Sequence, residues 1–134
     1  TGWYKYKPGE KFTDMDMTEY TERTDEASIY AVFYRNTDDE GNNYGLDGHA
    51  VEDLDKVLDN PQVYKVARVA SLPATDTWTL WEMFFEGKDA PDDLVKAQGC
   101  NLALLFSSSK SGAQFEGAIG STLYIDEVEV SYEE

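Results

Sequence analysis

The chain has 134 residues and a mass of 15.1 kDa, a size that suits one folded domain. Its 27 acidic residues against 11 basic ones leave a net charge of −16, which argues against a nucleic-acid partner because phosphate binding needs a basic surface. A hydrophobic content of 41%, with 13% aromatic residues, argues against an intrinsically disordered chain. We see no signal peptide, transmembrane stretch or initiator Met, and we expect the chain to be excised from a longer precursor.

Short β-type runs follow one another along the chain. Runs of β-branched and aromatic residues predict strands, and polar or glycine-bearing segments predict the turns between them. The predicted strands are Trp3 to Lys7, Ser28 to Arg35, Val63 to Ala70, Thr77 to Glu86, Asn101 to Ser107 and Thr122 to Tyr132. The single helical candidate is Val51 to Asp59, where three apolar residues share one face. Because βαβ alternation is missing, the pattern predicts an antiparallel all-β sandwich or barrel.

The last predicted strand changes its apolar face partway along. The apolar residues before position 126 have odd numbers, and those after it have even numbers. In a regular strand the two sets would point to opposite faces. A β-bulge or bend near Asp126 and Glu127 would keep both sets facing the core. The first set is Leu123 and Ile125, and the second set is Val128, Val130 and Tyr132.

Catalytic motifs are sparse. His49 is the only histidine, no G-x-S-x-G elbow occurs, and Ser107-x-x-Lys110 places its serine at the end of a predicted strand rather than at a helix start. Any acidic chain offers the two carboxylates that a glycosidase needs, so their presence is not specific. Cys100 is the only cysteine, which excludes an internal disulfide, and we expect a buried thiol. We therefore expect a domain that is not an enzyme.

One C-terminal segment has an unusual combination of small residues. It reads FSSSKSGAQFEGAIGSTLYIDEVEV over Phe106 to Val130. This segment resembles the C-terminal signature of the putative carbohydrate metabolism domain, a family found at the ends of secreted or lipid-anchored proteins of glycan-degrading gut bacteria. The opening WYKYKPGEKF, the run SIYAVFYRN, Leu46-Asp47-Gly48 and the strand of Trp78 fall in the family's order, so the resemblance spans nearly the whole chain.

The resemblance implies more about fold than about ligand. It implies a jelly roll, an antiparallel two-sheet β-sandwich similar to that of carbohydrate-binding modules. Residues 1–134 would form this one domain at the C-terminal end of a longer secreted protein, periplasmic or associated with the outer membrane through that parent. The expected partner is a glycan or a neighbouring domain of the same polypeptide, without nucleic acid and without direct membrane insertion.

Aromatic residues are the candidates for glycan binding, because pyranose C–H groups pack on aromatic faces while polar side chains bind the hydroxyls. Trp78 and Trp81 lie three apart on one predicted strand and therefore point to opposite faces. Trp81 shares its face with apolar residues and Trp78 with glutamates, so we expect Trp78 at the surface. The alternative is that the aromatics fill or cover the core. The candidate ligand-binding residues are Trp78, Tyr30, Tyr34, Trp3 and Asp47.

Calcium is the cofactor we consider. An EF-hand is excluded, because the loop that begins at Asp14 lacks the required glycine and the final glutamate. In jelly-roll binding modules a structural calcium often lies between an early strand and an acid on the last strand. The resemblance implies this role for Asp126, with Glu10, Asp14 or Asp16 as further ligands. The alternative is that Asp126 only accepts backbone N–H groups at the bulge.

The leading interpretation is a non-catalytic accessory domain of a secreted or cell-surface bacterial protein, with glycan binding as its function. A structural or assembly domain of a cell-surface protein is the second interpretation. A small glycoside hydrolase is the third.

Overall fold

The computed structural model describes residues 1–46, 54–69 and 71–132. The chain divides into two units, of which unit 1 is Thr1–Ile29, Val69–Met83 and Phe106–Glu134, and unit 2 is Tyr30–Arg68 and Phe84–Leu105. The elements in chain order are β1 (Gly2–Lys7), β2 (Phe12–Thr13), β3 (Ser28–Arg35), α1 (Leu54–Val57), β4 (Val63–Arg68), β5 (Thr75–Trp81), β6 (Glu86–Gly87), α2 (Asp92–Lys96), β7 (Cys100–Ser107), a 3-10 turn (Gly112–Gln114), β8 (Gly117–Ala118) and β9 (Thr122–Asp126). The predicted all-β class is confirmed.

Unit 1 contains a three-stranded antiparallel sheet in the order β5-β1-β9 and a two-stranded ribbon of β2 and β8. The tyrosines of the central strand β1 are buried. The hydroxyls of Tyr4 and Tyr6 donate hydrogen bonds to the carbonyl oxygens of Pro73 and Ser108 at 3.0 and 2.9 Å, which satisfies their polar ends. The core of this unit consists of Tyr4, Tyr6, Ala27, Ile29, Leu72 and Trp81, with Val69, Met83, Leu123 and Ile125 packed against it.

Unit 2 holds a second core beneath the four-stranded sheet β6-β4-β3-β7. In this sheet β4 pairs antiparallel with both β3 and β6. Neighbouring residues of β3, Ala31 and Val32, are both fully buried, so this strand is covered on both faces as its apolar sequence predicts. The buried residues of this core are Val32, Tyr34, Val57, Val63 and Val66.

One predicted strand proves to be two. The prediction of a single strand from Thr77 to Glu86 is wrong, because β5 ends at Trp81 and pairs with β1, whereas β6 pairs with β4. The chain passes from unit 1 to unit 2 between these strands, after Met83. The sequence stays mostly apolar from Trp81 to Phe85, so its pattern did not reveal that one strand ends and the next begins there.

The helical predictions hold only in part. The predicted helix from Val51 to Asp59 appears as the single turn α1, Leu54–Val57, and its predicted start lies outside the described residues. A second short helix, α2, occurs in the segment from Gly87 to Gly99, which the sequence analysis treated as a connection. Its five residues are too few to give a helical period.

The last strand ends earlier than predicted. β9 stops at Asp126, and Glu127 has a left-handed backbone with φ of 48°, so the predicted bend is confirmed. The prediction that the apolar residues beyond the bend face the core is wrong, because they are exposed and form no strand. The backbone there is held instead by Glu129, whose N–H donates to the carbonyl oxygen of Thr1 at 2.9 Å. The exposed residues are Val128, Val130 and Tyr132.

A buried carboxylate lies at the centre of unit 1. Asp25 is only 3% exposed, and its Oδ2 accepts hydrogen bonds from the Ser109 and Ser121 hydroxyls at 2.6 Å each and from the Ala118 N–H at 2.9 Å. Its Oδ1 accepts the N–H of Glu26 at 2.9 Å. Multiple donors offset the cost of removing a carboxylate from water. Three of these four donors belong to the C-terminal segment that carries the family resemblance.

The small residues of that segment therefore have a structural role. Ser107 donates to the carbonyl oxygen of Ser109 at 2.8 Å, so the serine run also satisfies a backbone group of its own loop. A Cβ at Gly117 would lie 2.9 Å from the Ser109 Oγ and 3.2 Å from the Asp25 Oδ2. A larger residue at position 117 would therefore crowd the Ser109 hydroxyl against the Asp25 carboxylate.

We predict that Asp25→Ala lowers the free energy of unfolding by about 2 to 4 kcal/mol, because it leaves buried donors without an acceptor. Chemical denaturation followed by tryptophan fluorescence measures this change. The control is Asp39→Ala, which removes an exposed carboxylate 3.3 Å from Arg35 and should cost less than about 1 kcal/mol. Equal losses in the two variants would contradict the central role of Asp25.

Candidate functional site

One face of the three-stranded sheet in unit 1 is open to solvent and rich in aromatic side chains. Residues of β1 alternate between the core and this face, and the register places Trp3 opposite Leu80 on β5 and opposite Asp126 on β9. Lys5 lies opposite Tyr124. We call this surface the outer sheet face, and its residues are Trp3, Lys5, Lys7, Trp78, Leu80, Tyr124 and Asp126.

A lysine connects two of the rings on this face. The Lys5 Nζ lies 4.7 Å from the centre of the Trp78 ring and 5.5 Å from the centre of the Tyr124 ring. Both distances are within the range of cation–π attraction. The ammonium group is therefore held between an aromatic side chain of β5 and one of β9, and the three side chains cross the width of the sheet.

The strand that carries Trp78 is irregular, and hydroxyl groups stabilise the irregularity. The register between β1 and β5 shifts between Tyr4 and Tyr6. Beside this shift the Thr79 hydroxyl donates to the carbonyl oxygen of Thr77 at 3.0 Å, and the Thr75 hydroxyl donates to the same carbonyl at 3.1 Å. The sequence TDTWT thus forms a locally bonded segment that presents its tryptophan to solvent.

A shallow hollow lies at the end of the same sheet. It is lined by the end of β1, the residues that follow, and the start of β5. Lys7 belongs both to this hollow and to the outer sheet face, so the two are continuous. The lining residues are Tyr6, Lys7, Pro8, Ala74, Thr75 and Asp76.

The parity argument for the tryptophans is confirmed. Trp78 is 45% exposed, whereas Trp81 is 3% exposed and packs edge-on against Phe106 with ring centres 6.3 Å apart. Trp3, the other predicted ligand-binding tryptophan, is 39% exposed and lies on the same face as Trp78. The structure thus brings together two of the five predicted ligand-binding residues.

Tyr30 and Tyr34 do not belong to a surface platform. Tyr34 is buried in the core of unit 2, Tyr30 packs against that core, and the Tyr34 ring contacts Tyr44 edge-on at 6.3 Å between centres. The burial of Tyr34 removes its ring from an exposed platform, whereas Tyr30 is half-buried and lies on a different sheet from the outer sheet face. Asp47, the fifth predicted residue, lies outside the described residues, as does His49.

The predicted calcium ligands do not form one metal-binding group among the described residues. Asp14 is fully engaged in its own turn, where Oδ1 accepts the N–H groups of Asp16 and Thr18 and Oδ2 accepts the Tyr20 hydroxyl. Asp126 accepts the N–H of the next residue at 2.8 Å, as the alternative interpretation of the bulge expects. Glu10 is exposed between β1 and β2. Within residues 1–46, 54–69 and 71–132, no three His, Cys, Asp or Glu side chains form a metal-binding group.

Hydrogen bonds and ion pairs lower the pKa of three carboxyl groups. The Thr18 backbone N–H lowers the pKa of Asp14, the Asn42 backbone N–H lowers that of Asp38, and the hydrogen bond from Lys65 lowers that of Asp89. A glycosidase general acid needs a raised pKa, so these three shifts have the wrong sign for that role.

Two further polar residues, Asp38 and Cys100, have environments that suit a structural role. Asp38 accepts the N–H groups of Glu40 and Asn42 and so stabilises the turn that follows β3. Cys100 is half-buried, less than predicted, and burial raises the pKa of its thiol, which keeps it protonated at neutral pH.

Four residues of the outer sheet face were not among the sequence candidates, namely Lys5, Lys7, Leu80 and Tyr124. Lys5 and Tyr124 lie on strands that the sequence analysis did predict, and Leu80 lies between the two tryptophans of β5. The alternation of Tyr124 with Leu123 and Ile125 was a usable signal, because it places the tyrosine opposite to the core. The signal for Lys5 was weaker, since a lysine on a strand usually indicates only solvent exposure.

The chain belongs to the family described as the putative carbohydrate metabolism domain, whose model matches residues 1–131. The resemblance recognised in the sequence is thereby confirmed, and a carbohydrate-related role follows for this domain. No curated protein matches the chain. Among the described residues, no helix is long and apolar enough to cross a membrane.

Two solved structures of Bacteroides proteins are similar to the chain, and both are described as putative glycoside hydrolases. The protein from Bacteroides thetaiotaomicron has 34% sequence identity and a TM-score of 0.81, and the match covers 99% of this chain and 37% of that one. The protein from Bacteroides vulgatus has 33% identity and a TM-score of 0.80, with coverage of 94% and 48%. The predicted all-β sandwich is therefore confirmed, and the chain spans less than half of either solved protein.

We predict that the two tryptophans of β5 differ sharply in their effect on stability. Trp81→Ala should lower the free energy of unfolding by about 3 to 5 kcal/mol, because it removes a buried aromatic side chain. Trp78→Ala should cost about 1 kcal/mol or less, since it removes mainly the cation–π contact with Lys5. Urea denaturation measures both changes. A Trp78 variant as destabilised as the Trp81 variant would contradict the assignment of the outer sheet face.

Proposed function

We propose that this domain is a non-catalytic accessory module that binds glycans on its outer sheet face. The observation that carries the proposal is the exposure of Trp3, Trp78 and Tyr124 on one face of one sheet, where they are 39%, 45% and 54% exposed. Exposed aromatics that share a face indicate a binding surface more strongly than scattered ones. The family's carbohydrate-related role supports a sugar as the ligand.

The chemistry of this face suits a sugar chain. Aromatic rings offer apolar surfaces for the C–H groups of pyranose rings, and these contacts need no enclosed pocket. Lys5 and Asp126 supply a donor and an acceptor for hydroxyl groups beside the rings. The hollow at Lys7 extends the surface along the direction of β1, so an extended oligosaccharide has contacts beyond a single sugar ring.

Glycan-array screening followed by isothermal titration calorimetry tests the proposal. For a glycan that binds, Trp78→Ala and Tyr124→Ala should each raise the Kd at least about tenfold, which corresponds to about 1.4 kcal/mol of lost stacking. Tyr132→Ala is the matched control, because Tyr132 is 85% exposed and lies outside the face. Heats that stay flat across host and plant glycans would contradict the proposal and favour the assembly domain.

The same samples distinguish binding from catalysis. A non-catalytic module leaves the oligosaccharide intact, so chromatography after long incubation should recover the starting material. Cleavage by the isolated domain, abolished by substitution of one carboxylate, would establish the hydrolase interpretation instead. A secreted location, through the parent protein, is part of the proposal and follows from the family resemblance.

Calcium binding stays a prediction and has its own test. If Asp126 is a ligand, millimolar calcium should raise the melting temperature relative to chelator, and Asp126→Ala should abolish the rise. Glu129→Ala is a control for the loss of a nearby acidic side chain. An unchanged melting temperature in the unsubstituted domain would exclude a stabilising calcium ion.

A further inference from the structure

The position of Lys5 is fixed more closely than that of an ordinary surface lysine. Its side chain is half-buried, and the ammonium group lies between the rings of Trp78 and Tyr124. The rings attract the cation, but they do not neutralise its charge. A full positive charge is thus presented at a defined point, with aromatic surface on both sides.

Lys5 and Lys7 form no salt bridge with a described acid, although Asp76 lines the same hollow as Lys7. Other bases pair with carboxylates, as in Lys11 with Glu19, Arg23 with Glu116, Lys65 with Asp89, and Lys110 with Glu26, whereas Lys88 and Lys96 also have no described carboxylate within salt-bridge distance. Among the described residues, no carboxylate lies within salt-bridge distance of the Lys5 or Lys7 ammonium group. Lys5 and Lys7 differ from Lys88 and Lys96 in lying on the outer sheet face, where Lys5 contacts two exposed rings.

Lys7 continues the same row. It lies two residues after Lys5 on one strand, so both side chains leave the same face with their Cα atoms roughly 6.6 Å apart. Lys7 is exposed and borders the hollow at the end of the sheet. The acid on this face, Asp126, lies opposite Trp3 at the other end of β1 and accepts a hydrogen bond from a backbone N–H.

We infer that the outer sheet face selects acidic glycans, whose sugar rings carry carboxylate or sulfate groups. The inference rests on the proposed function and names the ligand class for the same face. The sugar rings contact Trp78 and Tyr124, and their anionic groups accept charge-assisted hydrogen bonds from Lys5 and Lys7. A neutral glycan makes the aromatic contacts and uncharged hydrogen bonds from its hydroxyl groups, and it binds more weakly.

Titration calorimetry with matched acidic and neutral ligands tests this inference. One pair is an oligogalacturonide and its fully methyl-esterified form, and the other is a sulfated galactan oligosaccharide and its desulfated form, which is neutral because it has no uronic acid. We expect the acidic member of at least one pair to bind at least about fivefold more tightly per lysine engaged, from a Coulomb attraction of about 1 kcal/mol at 4 Å in water. The advantage should decrease with added salt.

Variants assign the effect to the two lysines. Lys5→Gln and Lys7→Gln should each reduce the affinity for the acidic ligand about fivefold more than the affinity for the neutral one, because the amide can still donate to a hydroxyl group but carries no charge. Lys96→Gln, on the exposed surface of α2, makes the same charge change elsewhere and should have no effect. The pair that responds distinguishes a carboxylate from a sulfate as the recognised group.

Each other outcome has a distinct meaning. Equal affinity for the acidic and neutral members, with loss of both in Trp78→Ala, would overturn the acidic preference and leave glycan binding on this face intact. A preference that survives both lysine substitutions would also overturn it. No binding to either pair or to any arrayed glycan would overturn the inference together with the proposed function.

Discussion

The buried carboxylate of Asp25 is the interaction on which unit 1 depends. Its oxygens accept hydrogen bonds from the serine run, from β8 and from the residue that precedes β9, which are 84 to 96 positions away in sequence. Ser121 also accepts the N–H of Gly9 at 3.0 Å, so the carboxylate is linked to the end of β1 as well. These bonds fix the ends of β1 and β9 relative to each other. Asp25 thus supports, through Ser121, the end of the strand pair in which Lys5 lies opposite Tyr124.

Local patterns predicted much of this structure, and long-range bonds explain most of what they missed. Alternation placed Trp81 in the core and Trp78 at the surface, and the change of parity placed the bend at Glu127. The same reasoning was wrong for Tyr34, because alternation separates the two faces of a strand without showing whether both are covered. Asp25 appeared only as an imperfect position in a calcium motif, since its partners lie far along the sequence. A buried acid of this kind becomes recognisable only once the fold brings its donors together.

The form of the outer sheet face bears on the choice between binding and catalysis. Glycoside hydrolysis requires an acid with a raised pKa, which follows from enclosure away from water. The outer sheet face is open, and its aromatic residues are about half exposed. Contacts of this kind stabilise a bound sugar chain without excluding water from one bond. Because the chain spans only 37% and 48% of the two solved proteins, the names of those proteins do not assign an activity to this segment.

The net charge of −16 does not conflict with recognition of an acidic ligand. At physiological ionic strength charges are screened over about 8 Å, so distant acids repel an approaching anion only weakly. At contact distance an anionic ligand on the outer sheet face would meet mainly Lys5 and Lys7. The acidic remainder of the surface would then have a separate effect, because it disfavours a polyanion over most of its area. A basic domain attracts a polyanion over its whole surface. An acidic domain with one small row of lysines attracts the polyanion only at that row, so the place of binding is better defined.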